Sequence, residues 1–236
     1  MKPLYLADSV REVLGKSLRP GGEVLTQRMM ELARPSNGDV LLDAGCGAGA
    51  SMMLLRQNHT CRVVGVDCDQ GLTKEAQDNG LNVVQADMAQ LPLSTCTVDT
   101  VLCECAWNLT DKQYVLADFF RVLRPGGLLA LSDIYLRSLP DEECKRAWPN
   151  RSCFFQATDL ETVREMVSRA GFEILNLEDH SQLLKKTAAE FIFAHGSLRG
   201  FWEAVMGDSK RAKAVCAASA VTRPGLFLLI GQRKKA

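Results

Sequence analysis

Residues 40 to 51, VLLDAGCGAGAS, limit the possible folds of this chain more than any other stretch. A short apolar run that breaks into closely spaced glycines reads as a buried strand entering a tight turn, with a helix to follow. Such turns bring backbone N–H groups to a helix N-terminus, where nucleotide-like ligands bind. What sits there depends on the charges around the glycines.

The rest of the chain repeats the alternation of strand and helix. DVLLDA, CRVVGVD, LNVVQAD, VDTVLCECA, GLLALSDIY, FEILNLE and GLFLLIG read as strands. Val115, Phe119, Val122 and Leu123 share one face of a helix expected to end at Pro125, and Thr158 with Glu161 form a capping box for a helix that stops at Gly171. Residues 6–34 look helical with a break at RPGG, and so do residues 181–219. We therefore expect an α/β, Rossmann-like fold: a seven-stranded, mostly parallel sheet with helices on both faces and a helical insertion before the last strand. A single domain over 1–236 is expected, with 1–34 as an N-terminal helical segment.

With 236 residues, 28 basic and 28 acidic side chains, the chain lacks the electrostatic footprint of a nucleic-acid binder. MKPLYLADSVRE reaches Asp8 before any apolar signal core, and no stretch attains the roughly 18 apolar residues of a membrane span. A cytoplasmic protein with no membrane partner is expected. Nine cysteines without a C-x-x-C spacing suggest neither a disulfide framework nor a structural zinc site, and no metal is expected.

Gly45, Gly47 and Ala50 loosely satisfy the dinucleotide pattern G-x-G-x-x-G/A, and Asp67 stands where a ribose-binding acid belongs. Asp43 opposes that reading, because a carboxylate at the end of the first strand repels a pyrophosphate. It suits S-adenosylmethionine, which carries an ammonium and a sulfonium and no phosphate. With GVD, ADMAQLPL and FRVLRPGG following in order, DAGCGAG resembles the first motif of class I S-adenosylmethionine-dependent methyltransferases. The likeness is to the type 11 domain with its quinone and arsenite branches, over about residues 20–178.

That resemblance implies that Asp43, Ala44, Gly45 and Gly47 hold the methionine end, that Asp67 and neighbouring Cys68 take the ribose, and that Asp87 and Met88 face adenine. Cys103 and Glu104 would lie beside the cofactor. RPGGEVLT is similar to a segment that closes over the methionine carboxylate, which adds Thr26. The plain alternative for each acid is a solvated loop or cap residue. Two other classes stay open: a dinucleotide oxidoreductase, and a protein that binds S-adenosylmethionine without catalysis.

The methyl acceptor is read as a small molecule. ECAWNLTDK replaces the Asn/Asp-Pro-Pro-Tyr word of enzymes that methylate adenine or glutamine. Of the candidate bases, His59 falls away from the cofactor edge, and His180 and His195 read as structural. The segments CECAWNLTDK and CFFQATDLETVREMVSRAGF look like regions of arsenite methyltransferases, which would make Cys105 and Cys153 metalloid ligands with Cys144 as a possible third. The alternative is that all three are ordinary thiols. Trp107, just past strand four, is a further acceptor-site candidate. Phe191, Phe193, Phe201 and Trp202 are read first as core or interface residues, a homodimer contact among the options, and second as the lining of a lid.

Overall fold

The computed structural model describes residues 3–58 and 60–234, so His59 lies outside the described residues. In chain order the elements are α1 (Asp8–Leu14), α2 (Gly22–Ala33), β1 (Val40–Ala44), α3 (Ala50–Asn58), β2 (Arg62–Asp67), α4 (Gln70–Asp78), β3 (Val83–Gln85) and β4 (Val98–Glu104). They continue with α5 (Lys112–Val122), β5 (Leu123–Leu136), α6 (Glu142–Ala147), α7 (Leu160–Arg169), β6 (Phe172–Asp179), α8 (Ser181–His195), α9 (Leu198–Met206), α10 (Ser209–Thr222) and β7 (Pro224–Arg233). Short 3-10 turns occupy Leu4–Leu6, Gly15–Ser17 and Trp107–Leu109.

The strands form a seven-stranded sheet in the order β3-β2-β1-β4-β5-β7-β6, with β7 antiparallel to both its neighbours and the other pairings parallel. Successive strand residues face opposite sides. Leu42, Val101, Cys103, Leu129 and Leu131 accordingly join one core with α5 and α7. Leu41, Leu102, Ala130 and Leu228 join another, under α2 and part of α3. Burial on both faces explains why the strands read as continuous apolar runs rather than as alternating ones.

Three boundaries differ from the sequence reading. Helix α5 ends at Val122, and Leu123 already pairs with Val98 as the first residue of β5. Pro125 disfavours the α conformation at Arg124, so the chain turns extended before it. The cap of α7 is Asp159 rather than Thr158: its carboxylate accepts the Thr162 N–H at 2.9 Å. A third apolar cluster joins α9 and α10 to α1 and to the segment after α6, through Val10, Trp148, Phe191, Phe201, Trp202 and Val215. The helical insertion runs on to Thr222, three residues beyond the expected 219.

Candidate active site

Strand order reverses where β1 lies between β2 and β4, the point at which doubly wound sheets bind ligands beyond their carboxyl ends. Asp43, Asp67 and Glu104 reach that edge from three adjacent strands. A cavity of ≈ 440 Å³ opens there, lined by Asp43, Gly45, Gly47, Asp67, Cys68, Asp87, Met88 and Glu104 among others. Acidic side chains on its wall outnumber basic ones: Asp43, Asp67, Asp87, Glu104 and Asp111 against Lys16, Arg19 and Arg151. This balance disfavours a phosphate-rich ligand and favours a cationic one.

The glycine turn is built for close approach. Gly45 has φ +80°, and a Cβ there would stand 2.5 Å from the Ala106 Cβ, so no other residue fits without displacement. The Gly45 and Cys46 N–H groups both donate to Val66 O, at 2.7 and 3.1 Å, tying the turn to β2. Asp67 accepts the Gly47 N–H at 2.8 Å and the Asp69 N–H at 2.9 Å, which fixes its carboxylate at the cavity wall. Burial raises the Asp67 pKa, and those backbone donors oppose the rise.

Asp43 and Glu104 differ in how they are satisfied. Glu104 is 7% exposed and accepts from Arg19 Nε at 3.0 Å, Arg19 Nη2 at 2.9 Å, Thr26 Oγ1 at 3.1 Å and Ser51 Oγ at 2.8 Å. Asp43 is 3% exposed, and its Oδ2 has no hydrogen-bond partner. Burial and then the Glu104 charge push the Asp43 pKa up to about 8, with Arg19 opposing. Two buried carboxylates thus face one guanidinium, and an unmet acceptor of this kind calls for a cation or a strong donor. The ammonium of S-adenosylmethionine fits that requirement, and the residues present can hold the cofactor.

Several expected site residues stand behind the wall. Ala44 and Cys103 are fully buried in the sheet core. Thr26, also fully buried, reaches the site only through Glu104 and Arg19. Trp107 lines neither this cavity nor the one beside it: it is 0% exposed, its Nε1–H donates to Lys112 O at 3.3 Å, and it packs in the core beneath α5. The 3-10 turn that begins at Trp107 rotates the ring inward, which a strand-end position alone does not reveal.

A second cavity of ≈ 250 Å³ adjoins the first and shares Tyr5, Leu18, Cys105 and Leu109 with it. Trp148, Phe154, Phe191, Phe201 and Trp202 line it, so the insertion supplies both a core and a cavity wall. Phe193 lies elsewhere, 94% exposed. Cys105 and Cys153 both line this second cavity. Burial, then the Asp133 charge, raise both thiol pKa values. Cys105 has φ +53°, strained for a side chain with a Cβ, and such strain collects at functional sites.

Asn108 holds this region together. Its Nδ2 donates to Asp133 Oδ1 at 3.0 Å, to Ile134 O at 2.7 Å and to Cys153 O at 2.9 Å. Cys144 lies apart, its sulfur 4.0 Å from Ala218 O on α10. His180 and His195 line neither cavity, and His180 Nε2 pairs with Glu178 Oε2 at 2.8 Å. Sequence reasoning missed Arg19, Ser51 and Tyr5. Arg19 opens the same RPGG word that drew notice to Thr26, and Ser51 directly follows the glycine motif.

Comparison with known proteins agrees with this geometry. Residues 42–131 match the family described as Methyltransferase domain. Over those residues the chain is similar to a methyltransferase domain, and its seven-stranded α/β sheet has the Rossmann-like fold expected of one. An O-methyltransferase of Pyrenophora dematioidea is 27% identical over 69% of this chain and 65% of its own length. An arsenite methyltransferase of Halobacterium salinarum is 30% identical over 66% of this chain and 41% of its own length. The chain thus spans less than two thirds of either relative. In structure, phosphoethanolamine N-methyltransferase 2 of Haemonchus contortus, solved with S-adenosylmethionine, superposes with a TM-score of 0.78 at 18% identity, over 96% of this chain and 56% of that one, a likeness of fold. No helix among the described residues is long and apolar enough to cross a membrane.

Proposed function

We propose that the protein transfers the methyl group of S-adenosylmethionine to a small, largely apolar acceptor. The observation that carries this reading is the unpartnered Asp43 Oδ2 at the glycine turn, in an acid-rich cavity that meets an apolar one. Asp43 receives the ammonium, Gly45 and Gly47 let the backbone approach, Asp67 accepts from the ribose hydroxyls, and Asp87 with Met88 face adenine. When bound, the cofactor supplies an electrophilic methyl on a sulfonium. Tyr5, Leu18, Cys105 and Leu109 border the place where it meets the acceptor, and positioning there supplies most of the rate. Release of S-adenosylhomocysteine by purified protein across a panel of phenol, thiol and amine acceptors tests the reading. Cofactor binding without product from any acceptor would favour a non-catalytic S-adenosylmethionine-binding protein.

A second reading, arsenite methylation, is favoured by the facing of Cys105 and Cys153 onto one cavity. The position of Cys144 leaves it two thiols rather than three. Arsenite-stimulated S-adenosylhomocysteine release that disappears in Cys105→Ser and in Cys153→Ser would establish it. Turnover unchanged by either substitution would reject it.

A further inference from the structure

The chemistry of the second cavity narrows the acceptor, on the basis of the methyltransferase reading above. Its lining contains paired rings. Trp148 and Phe154 stack with centroids 4.6 Å apart and 9° between their planes, and Phe191 and Phe201 stack at 4.0 Å and 21°. Flat apolar guests suit such surfaces. The polar lining consists of Tyr5, Cys105, Cys153, Ser152, Thr187 and Ser219, with Lys185 as the charged group. No Asp, Glu or His lines it among the described residues.

Of the carboxylates on the adjoining wall, Asp43, Asp67 and Asp87 are taken up by the cofactor in the reading above, and Asp111 caps α5 by accepting from Gln113 N at 3.3 Å. Glu104 accepts from Arg19, Thr26 and Ser51. Asp133 lines neither cavity and accepts from Asn108 N at 2.8 Å, Asn108 Nδ2 at 3.0 Å and Ile134 N at 2.8 Å. Where the two cavities meet, Tyr5 offers the one hydroxyl that both share, and Cys105 the one thiol. The Tyr5 pKa is pushed up to about 12 by burial and by the facing Asp67, Cys68 and Asp69, with Arg151 opposing. Burial and Asp133 likewise keep the Cys105 thiol protonated. The second cavity is therefore furnished with hydrogen-bond donors and has no carboxylate or imidazole in its own lining, the nearest carboxylates lying on the side of the first cavity.

A neutral alcohol or an ammonium must lose a proton during methyl transfer, and this cavity provides no base for it. We infer that the acceptor is a flat hydroxyaromatic molecule, acidic enough to arrive as its phenolate, and that the Tyr5 hydroxyl donates to the phenolate oxygen where the two cavities meet. A phenolate lone pair forms the new oxygen–methyl bond as the sulfur–methyl bond breaks. The electron pair of that bond stays on sulfur, the sulfonium becomes a neutral thioether, the phenolate becomes a neutral ether, and no proton moves. The sulfonium offsets the cost of burying the anion and the repulsion from Asp67 and Asp69, which face Tyr5, and exposed Lys185 adds a positive charge to the lining.

Rate profiles against pH for 4-nitrophenol, 4-cyanophenol and phenol test this, with S-adenosylmethionine binding measured separately by calorimetry. The rising limb is expected to move with each phenol's own acidity. At neutral pH, 4-nitrophenol should exceed phenol in kcat/KM by about tenfold or more, since only the ionised fraction reacts. Tyr5→Phe should lower kcat/KM for 4-nitrophenol by about tenfold at saturating S-adenosylmethionine. A single midpoint common to all three phenols, equal turnover of cyclohexanol, or no transfer to any phenol by protein that binds the cofactor would each overturn the inference. Failure to bind S-adenosylmethionine would instead overturn the reading beneath it.

Discussion

Burial has left Asp43 with no hydrogen-bond partner for its Oδ2 at the glycine turn. Its pKa of about 8 and that of Asp133 at about 7, which burial also raises, stand far above the ordinary value of about 3.9. Between those limits the folded protein holds protons that the unfolded chain has lost. Stability of the ligand-free protein should therefore fall as pH rises through that window and level off above about 8. Asp43→Asn should flatten the Asp43 share of this slope, as read by urea denaturation across the same pH range. The same groups show what a sequence can reveal about a site. Asp43, Gly45 and Asp67 were legible because a strand end and a glycine turn fix where they point. Trp107 was misplaced because a 3-10 turn decides its direction, and no sequence period marks such a turn. Arg19 was missed because its value lies in meeting Glu104, 85 positions away.

At the level of elements, the segment between α1 and α2 behaves as a strap across the cofactor cavity. Lys16, Ser17, Leu18 and Arg19 all line that cavity, and Leu18 takes a left-handed φ of +54° to let the strap pass. Arg19 fastens it through the Glu104 pair at 2.9 Å, with both side chains nearly buried. Removing one partner of a buried ion pair leaves the other charge unmet. Arg19→Ala is expected to cost about 3 to 5 kcal/mol in a denaturation experiment, whereas Arg19→Met with Glu104→Leu should recover much of the loss. A single-substitution cost under about 1 kcal/mol, the range of exposed pairs, would show that the strap is not fastened this way. The strands themselves were legible as apolar runs. Helix ends were less so, since the end of α5 depends on backbone sterics near Pro125 and the start of α7 on which of two adjacent side chains reaches Thr162.

Across the whole molecule, the sheet and its flanking helices form one unit, and α9, α10 and α1 form a smaller core above its carboxyl edge. The insertion was visible in the sequence as a long helical stretch, but its role was not, because core and cavity-lining residues share one apolar pattern. Phe191, Phe201 and Trp202 prove to be both. Phe201, 3% exposed and 4.9 Å from the Trp202 ring, is the place to test this. Phe201→Ala should destabilise the protein by about 3 to 5 kcal/mol. It should also raise amide exchange in α9 and α10 while S-adenosylmethionine affinity stays within about twofold, because the cofactor cavity rests on the sheet. Loss of cofactor binding in that variant would mean that the two cavities depend on one another for their shape.

Calorimetric titration of the purified protein with S-adenosylmethionine, and separately with NADH, against both the native chain and Asp43→Asn, bears on all three scales at once. One-site binding of S-adenosylmethionine, weakened by about 1 to 3 kcal/mol in Asp43→Asn, and no binding of NADH are the expected results. The native chain should also release a proton on binding below pH 8, since the incoming ammonium ionises Asp43. Equal affinity of the two proteins for S-adenosylmethionine, or preferential binding of NADH, would contradict the assignment of this cavity.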